Sequence, residues 1–425
     1  MAQLLYTRSG RPSLARRYDA NDNAFGFLRL ALATGVLVAH AWPLGLARQS
    51  FGASLTHGQT DLGTLSVQGF FVISGFLVAG SALRLSPGRF AWHRALRTLP
   101  GLWVCLLVTA LVLAPLVYWY EQRTLTGFWT HPDGPLRYVA VNWFASMEQY
   151  PISGLLADTP FGRLQGGPSA FDGSLWSLRY EFACYAFVWL LAACAVLRRA
   201  RRLVLALAAG AYLLVLFDLA TVAAWTDRPP LRGAIGPLPL VGSFAYGWAL
   251  YLGFLFLLGA CARLYAHRLP MTAVGAAVAG AVMLASMLLG GFFAFGLPAY
   301  AYLVLYLATA LPRPLRRIGR RRDYSYGVYI YAFPVQQMLA LVGGASHGLT
   351  VYILLSLLGT LLFAVPSWHL LEGPALRLRG WPGPALRLRG WPGPARRRPH
   401  NRVGPDGPAG TAANPPIPAA THSGG

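Results

Sequence analysis

The chain has 425 residues, 55% of them hydrophobic and only 12% charged, yet its formal net charge is +22. Soluble domains carry about 25% charged residues, so an ordinary globular architecture is excluded, and the aromatic and aliphatic content excludes a disordered chain. The four cysteines, Cys105, Cys184, Cys194 and Cys261, all lie inside apolar stretches. That placement fits small hydrophobes and not a disulfide scaffold or a metal cluster.

In chain order, apolar blocks fall at roughly 25–44, 65–83, 99–119, 175–197, 203–222, 240–262, 271–289, 291–311, 324–343 and 349–371. Blocks of about 20 apolar residues are long enough to cross a bilayer core as helices. The expected fold is therefore an all-α polytopic membrane protein of about ten transmembrane helices. Residues 1–22 form a polar, basic N-terminal tail with no cleavable signal peptide, residues 23–372 the membrane domain, and residues 373–425 a basic Pro/Gly/Arg-rich tail. Within that tail GPALRLRGWP occurs at 373–382 and again, identically, at 383–392. Such a composition predicts disorder and contact with anionic lipid headgroups.

All 36 basic residues are arginine, and they alternate between the connections. Twenty-eight lie in the two tails and in the connections after blocks two, four, six and eight; six lie in the remaining connections, and Arg29 and Arg179 lie within blocks. By the positive-inside rule both termini are cytoplasmic. The charge is thus a topology signal, and no continuous basic face with interleaved aromatics points to nucleic acid. The longest connection, roughly 120–172, falls on the outer side, where it would cover or form an external binding site.

Charged and polar residues inside the blocks are costly, and each is a candidate for function. In the first, Arg29 and His40 stand eleven residues apart, which puts them within about 20° of one helical face and ~16 Å apart along the axis. In the fourth, Arg179 and Glu181 face different sides, so Glu181 is expected to find a cation on another helix, with Arg29, Arg179 and His40 available. A carboxylate beside His40 would fix its tautomer and raise its basicity. At the cytoplasmic start of the third, Arg94 and Arg97 are i, i+3 neighbours, a spacing that serves either membrane anchoring or bidentate clamping of phosphates. Ser74 in Phe70–Val78, Trp176 in Ser174–Tyr185 and Tyr326 in Asp323–Val335 belong to segments too specific to be lipid-facing filler, and helix packing accounts for them equally well. No histidine spacing suits a metal.

Taken together and in order, Arg29-x10-His40, FFVISGFLV at 70–78, Arg94-x-x-Arg97 with Pro100, SLWSLRYEFACY at 174–185, DYSYGVYIYAFPV at 323–335, and Ser367-Trp368 with Glu372 and Pro374 resemble the acyltransferase 3 family of bacterial inner-membrane O-acyltransferases. The resemblance covers about residues 20–376. It implies a cytoplasmic acyl-CoA, usually acetyl-CoA, as donor, no permanently bound cofactor, and an extracytoplasmic glycan or lipid-linked saccharide as acceptor. Carried over by residue, it makes His40 the catalytic histidine, Arg29 its partner, Glu181 the buried carboxylate, Arg94 and Arg97 the holders of the donor phosphates, and Ser74, Trp176 and Tyr326 supporting residues. His40 would act either as a general base or as a covalent acyl carrier. Gln68 and Ala332 stand where many members have Asp and His, which implies a different acceptor site. The rival readings are a transporter of lipid-linked sugars or small anions, and a structural subunit of an export complex.

Overall fold

The computed structural model describes residues 12–238 and 242–380. Each of the ten apolar blocks is helical. In chain order the helices are α1 (Phe25–Leu46), α2 (Leu62–Ala82), α3 (Pro87–Val108), α4 (Trp176–Ala193), α5 (Arg201–Leu219), α6 (Tyr246–Leu264), α7 (Ala273–Leu289), α8 (Leu297–Ala310), α9 (Ser325–Leu341) and α10 (Leu349–Ser367). The protein is a polytopic all-α membrane protein. Seven helical stretches are long and apolar enough to cross a bilayer, α3 running on through a π-turn at Thr109–Leu113 to Gln122. The other three are α4, which carries Arg179 and Glu181, and α7 and α9, which have 17 residues each. Helix α9 tolerates its polar side chains because it is wrapped by protein: every residue from Ser325 to Gln337 is buried. A helix shielded from lipid need not be uniformly apolar.

Gln336 donates to the Leu37 carbonyl oxygen of α1 at 3.0 Å and accepts on its own carbonyl from the Tyr352 hydroxyl of α10 at 2.8 Å. Helices α2 and α6 approach backbone to backbone. A Cβ at Gly75 would overlap the Phe256 carbonyl oxygen, and one at Gly259 the Val72 carbonyl oxygen. Small residues at a crossing permit this approach. Helix α2 starts on an Asp61 cap, whose side chain accepts from the amides of Gly63 and Thr64.

The connections sort into two sets by contact. At one end the backbone of Leu14 and Ala15 bonds to Leu269 and Ala266, Arg198 donates to the Leu83 carbonyl, and Arg316 pairs with Asp22 at 2.9 Å. These are the arginine-rich segments. At the other end Gln59 bonds to the chain at 286–287 and 292, and Arg179 joins the connection after α3 to that after α5. A two-stranded antiparallel hairpin, β1 (Ala234–Leu238) and β2 (Gly242–Ala245), occupies the start of the sixth apolar block. The connection at 120–172 is folded and not a bare loop. It holds the helices Pro135–Asn142 and Pro160–Gln165 and buries Phe128, Tyr138, Ile152, Leu156 and Phe171.

The C-terminal tail begins in ordered structure. Residues Trp368–Glu372 form a π-turn, Gly373–Arg377 an α-helix and Leu378–Gly380 a 3-10 turn. The second copy of the decapeptide, and the expected disorder from residue 381 on, lie outside the described residues.

Candidate active site

Two cavities lie along α1, and they differ in chemistry. The first, about 100 Å³, is lined by Arg29, Ser74, Arg94, Arg97, Glu181 and Tyr326 among others. The second, about 640 Å³, is lined by His40, Asp61, Tyr150, Gln165, Trp176 and Trp248 among others. Val67 of α2 and Tyr329 of α9 belong to both walls, so these two side chains stand where the cavities meet.

The first cavity is basic, and its arginines are held unequally. Arg97 donates through Nη2 to Asp323 Oδ2 at 2.5 Å, and Arg29 Nη2 is ion-paired with the same oxygen at 2.8 Å. The Ser325 hydroxyl donates to Asp323 Oδ1 at 2.6 Å. Burial works to raise the Asp323 carboxyl, but the guanidinium charges of Arg29 and Arg97 outweigh it and hold the group well below the usual carboxylate range. Arg94 has no carboxylate partner among the described residues. Its guanidinium lies 5.6 Å from the Tyr185 ring centroid and 5.9 Å from that of Phe90, and its buried Nε has no hydrogen-bond partner. Two of the three arginines are therefore pre-positioned by one carboxylate, while the third keeps its hydrogen-bonding capacity.

Glu181 departs from expectation. It makes no ion pair among the described residues; the Tyr185 hydroxyl donates to its Oε1, and the Ser74 hydroxyl does so at 3.3 Å. The cation sought for it on another helix is absent because Arg29 is committed to Asp323 and Arg179 points elsewhere. Arg179 donates to the carbonyls of Ser243 and Met147 and ties two connections together. Tyr326 donates to the Thr98 carbonyl at 2.7 Å, which locks α9 against α3 beside the arginines.

His40 lies in the second cavity, so the expected Arg29–His40 pair is divided between two sites. The two residues share a helical stripe, but about 16 Å of rise separates them. The His40 ring meets Phe333 edge to face at 5.2 Å, and its buried Nδ1 has no hydrogen-bond partner. The carboxylate in its cavity is Asp61, not Glu181. Asp61 is itself held by the hydroxyls of Ser50 at 2.9 Å and Thr64 at 2.6 Å. Trp176 stands in this cavity against Trp248, ring centroids 4.7 Å apart. The folded 120–172 connection supplies the outer wall through Tyr150, Pro151, Phe161 and Gln165.

Sequence reasoning missed four residues. Asp323 opened a recognised motif without a role, and Tyr329 lay inside the same motif. Its hydroxyl donates to the Ser174 carbonyl at 2.8 Å and lies 2.6 Å from the Ser177 oxygen. Tyr185 closed the fourth-span motif, four residues beyond Glu181. Asp61 carried the only local clue, a carboxylate immediately before an apolar block.

A family model described as "Acyltransferase domain" matches residues 22–369. An O-acetyl transferase of Shigella phage Sf6 is 28% identical over 83% of this chain and 95% of that protein. Nodulation protein 10 of Rhizobium leguminosarum bv. viciae is 30% identical over 85% of this chain and 95% of that protein. No solved structure matches the chain. With the match spanning the helices that build both cavities, the protein belongs to the acyltransferase 3 family of membrane acyltransferases.

Proposed function

We propose that this enzyme is an O-acyltransferase, moving an acetyl group from acyl-CoA on the cytoplasmic side to a hydroxyl of a glycan outside the bacterial inner membrane. The observation that carries the reading is the pair of chemically opposite cavities meeting at Val67 and Tyr329, one basic and one holding a histidine among aromatic rings. The arginine-rich end faces the cytoplasm by the positive-inside rule, with ten crossings and both termini inside. The donor's phosphates stay at that end with Arg29, Arg94 and Arg97, and only the thin, uncharged pantetheine arm passes between Val67 and Tyr329. The aromatic faces of Trp176, Trp248 and Tyr150 suit the acceptor, since sugar rings present apolar faces and many hydroxyls. The name of the phage relative supports the acetyl group.

In this reading one nitrogen of His40 takes the acceptor hydroxyl's proton as its oxygen attacks the thioester carbonyl carbon. The tetrahedral adduct collapses, the C–S bond breaks, and the departing CoA sulfur receives the proton from His40. A general-base step of this kind contributes about 10²–10⁴-fold.

The test uses the purified protein in lipid vesicles with radiolabelled acetyl-CoA and a surface-glycan extract. Transfer of label to glycan is expected, with a His40→Ala variant at least ~100-fold slower. Equal rates for the two proteins, or no transfer by either, would overturn the proposal.

A further inference from the structure

The segment beyond the family match reaches back to the start of α3, the helix that carries Arg94 and Arg97. The match ends at residue 369, yet the chain continues in helical turns to Gly380 and packs against the start of α3. Trp92 donates through Nε1 to the Leu378 carbonyl at 3.2 Å, and His93 Nε2 lies 3.2 Å from the Arg379 carbonyl oxygen. Trp92 and His93 immediately precede Arg94, so these bonds hold the Arg379 backbone against the turn of α3 that carries the cavity's uncommitted arginine. The charges that act on Arg379 are those of Arg94, Arg97 and Arg29.

The group is poorly satisfied by the protein alone. Among the described residues the Arg379 guanidinium makes no ion pair or hydrogen bond, and its buried Nε has no partner. Arg94 is in the same condition, and among the described residues Asp323 is the only carboxylate ion-paired to this group of four arginines. Partly buried cations left without a counter-charge are costly. Two guanidinium groups with free donors, carried on segments that pack together, suit a shared phosphate.

We infer that Arg379 is a further donor-binding residue: with Arg94 it forms a phosphate site at the mouth of the basic cavity, built from a C-terminal segment outside the family domain. The inference rests on the acyl-CoA reading given above. The bound group would be a phosphate of the donor, and its neutral pantetheine end would make no contact there.

The experiment measures donor binding to the full chain in a maltoside detergent, which brings no phosphate of its own. Acetyl-CoA and the phosphate-free analogue acetyl-pantetheine are compared on the wild type, Arg379→Gln, and Arg379→Gln with Arg389→Gln. The double variant is included because residues 383–392 repeat 373–382. The expected result is a rise in the acetyl-CoA Kd of at least about tenfold, as one charge-assisted contact is lost, with acetyl-pantetheine binding unchanged. Unchanged acetyl-CoA affinity in both variants would overturn the inference, as would equal weakening of both ligands, which marks distortion of the cavity. Failure of the wild type to bind acetyl-CoA at all would instead strike the donor reading itself.

Discussion

The Asp323 cluster lends itself to a direct perturbation. Asp323→Asn keeps the side chain's shape and an acceptor for Ser325 but removes the charge that Arg29 and Arg97 share at 2.8 and 2.5 Å. The carboxylate is 8% exposed and the arginines 26% and 16%. Breaking a buried ion pair by removing one partner costs about 3–5 kcal/mol. The partial exposure of Arg29 and the surviving amide oxygen place the expected loss near the lower end, about 3 kcal/mol. A mid-sized domain loses roughly 2–4 °C of Tm per kcal/mol, and larger chains less, so a fall of roughly 6–12 °C is the upper expectation. Intrinsic tryptophan fluorescence during thermal unfolding in detergent measures it. The same variant frees two arginines from their common anchor, so the KM for acetyl-CoA, the proposed donor, should rise. A Tm within about 1 °C of wild type together with an unchanged KM would refute the idea that Asp323 holds the basic cavity in shape.

Two further outcomes test the fold. Asp172 is buried, accepts from the Tyr138 hydroxyl at 2.5 Å, and has its carboxyl pushed by burial, against its hydrogen bonds, from 3.8 up to about 6. An acid whose folded value is raised contributes stability below its unfolded value that is lost as pH rises through the folded one. Wild-type stability relative to Asp172→Asn should therefore fall between about pH 4 and pH 6, by up to ~3 kcal/mol; a gap that stays constant across that window would contradict this. Gly75→Ala places a Cβ against the Phe256 carbonyl oxygen, a rigid backbone neighbour. Overpacking of this kind costs about 1–3 kcal/mol, and a variant as heat-stable as wild type would show that the α2–α6 contact is looser than described.

The positions of the ten helices were legible in the sequence because a bilayer reads hydropathy locally, twenty residues at a time. The candidate residues were legible for a related reason: a charge or histidine inside an apolar block is conspicuous without knowing its neighbours. Their partners were not. Glu181 and Arg179 are two residues apart, yet one meets hydroxyls of Ser74 and Tyr185 and the other meets carbonyls of Ser243 and Met147. Helical periodicity places them on different faces but says nothing of what each face meets.

The low charge content with its large arginine excess settled by itself that the protein spans a membrane and which connections belong together. Tertiary structure decided the chemistry. It gave Arg29 and Arg97 to Asp323, which lies 226 residues from Arg97, and put His40 and Arg29 in separate cavities. It also folded the 120–172 connection into a wall of the histidine's cavity and turned Leu378 and Arg379 back onto α3. The reason is physical. Insertion depends on sums over contiguous residues, whereas pairing depends on which helices touch, and contacts between residues hundreds of positions apart leave no periodic mark on the chain.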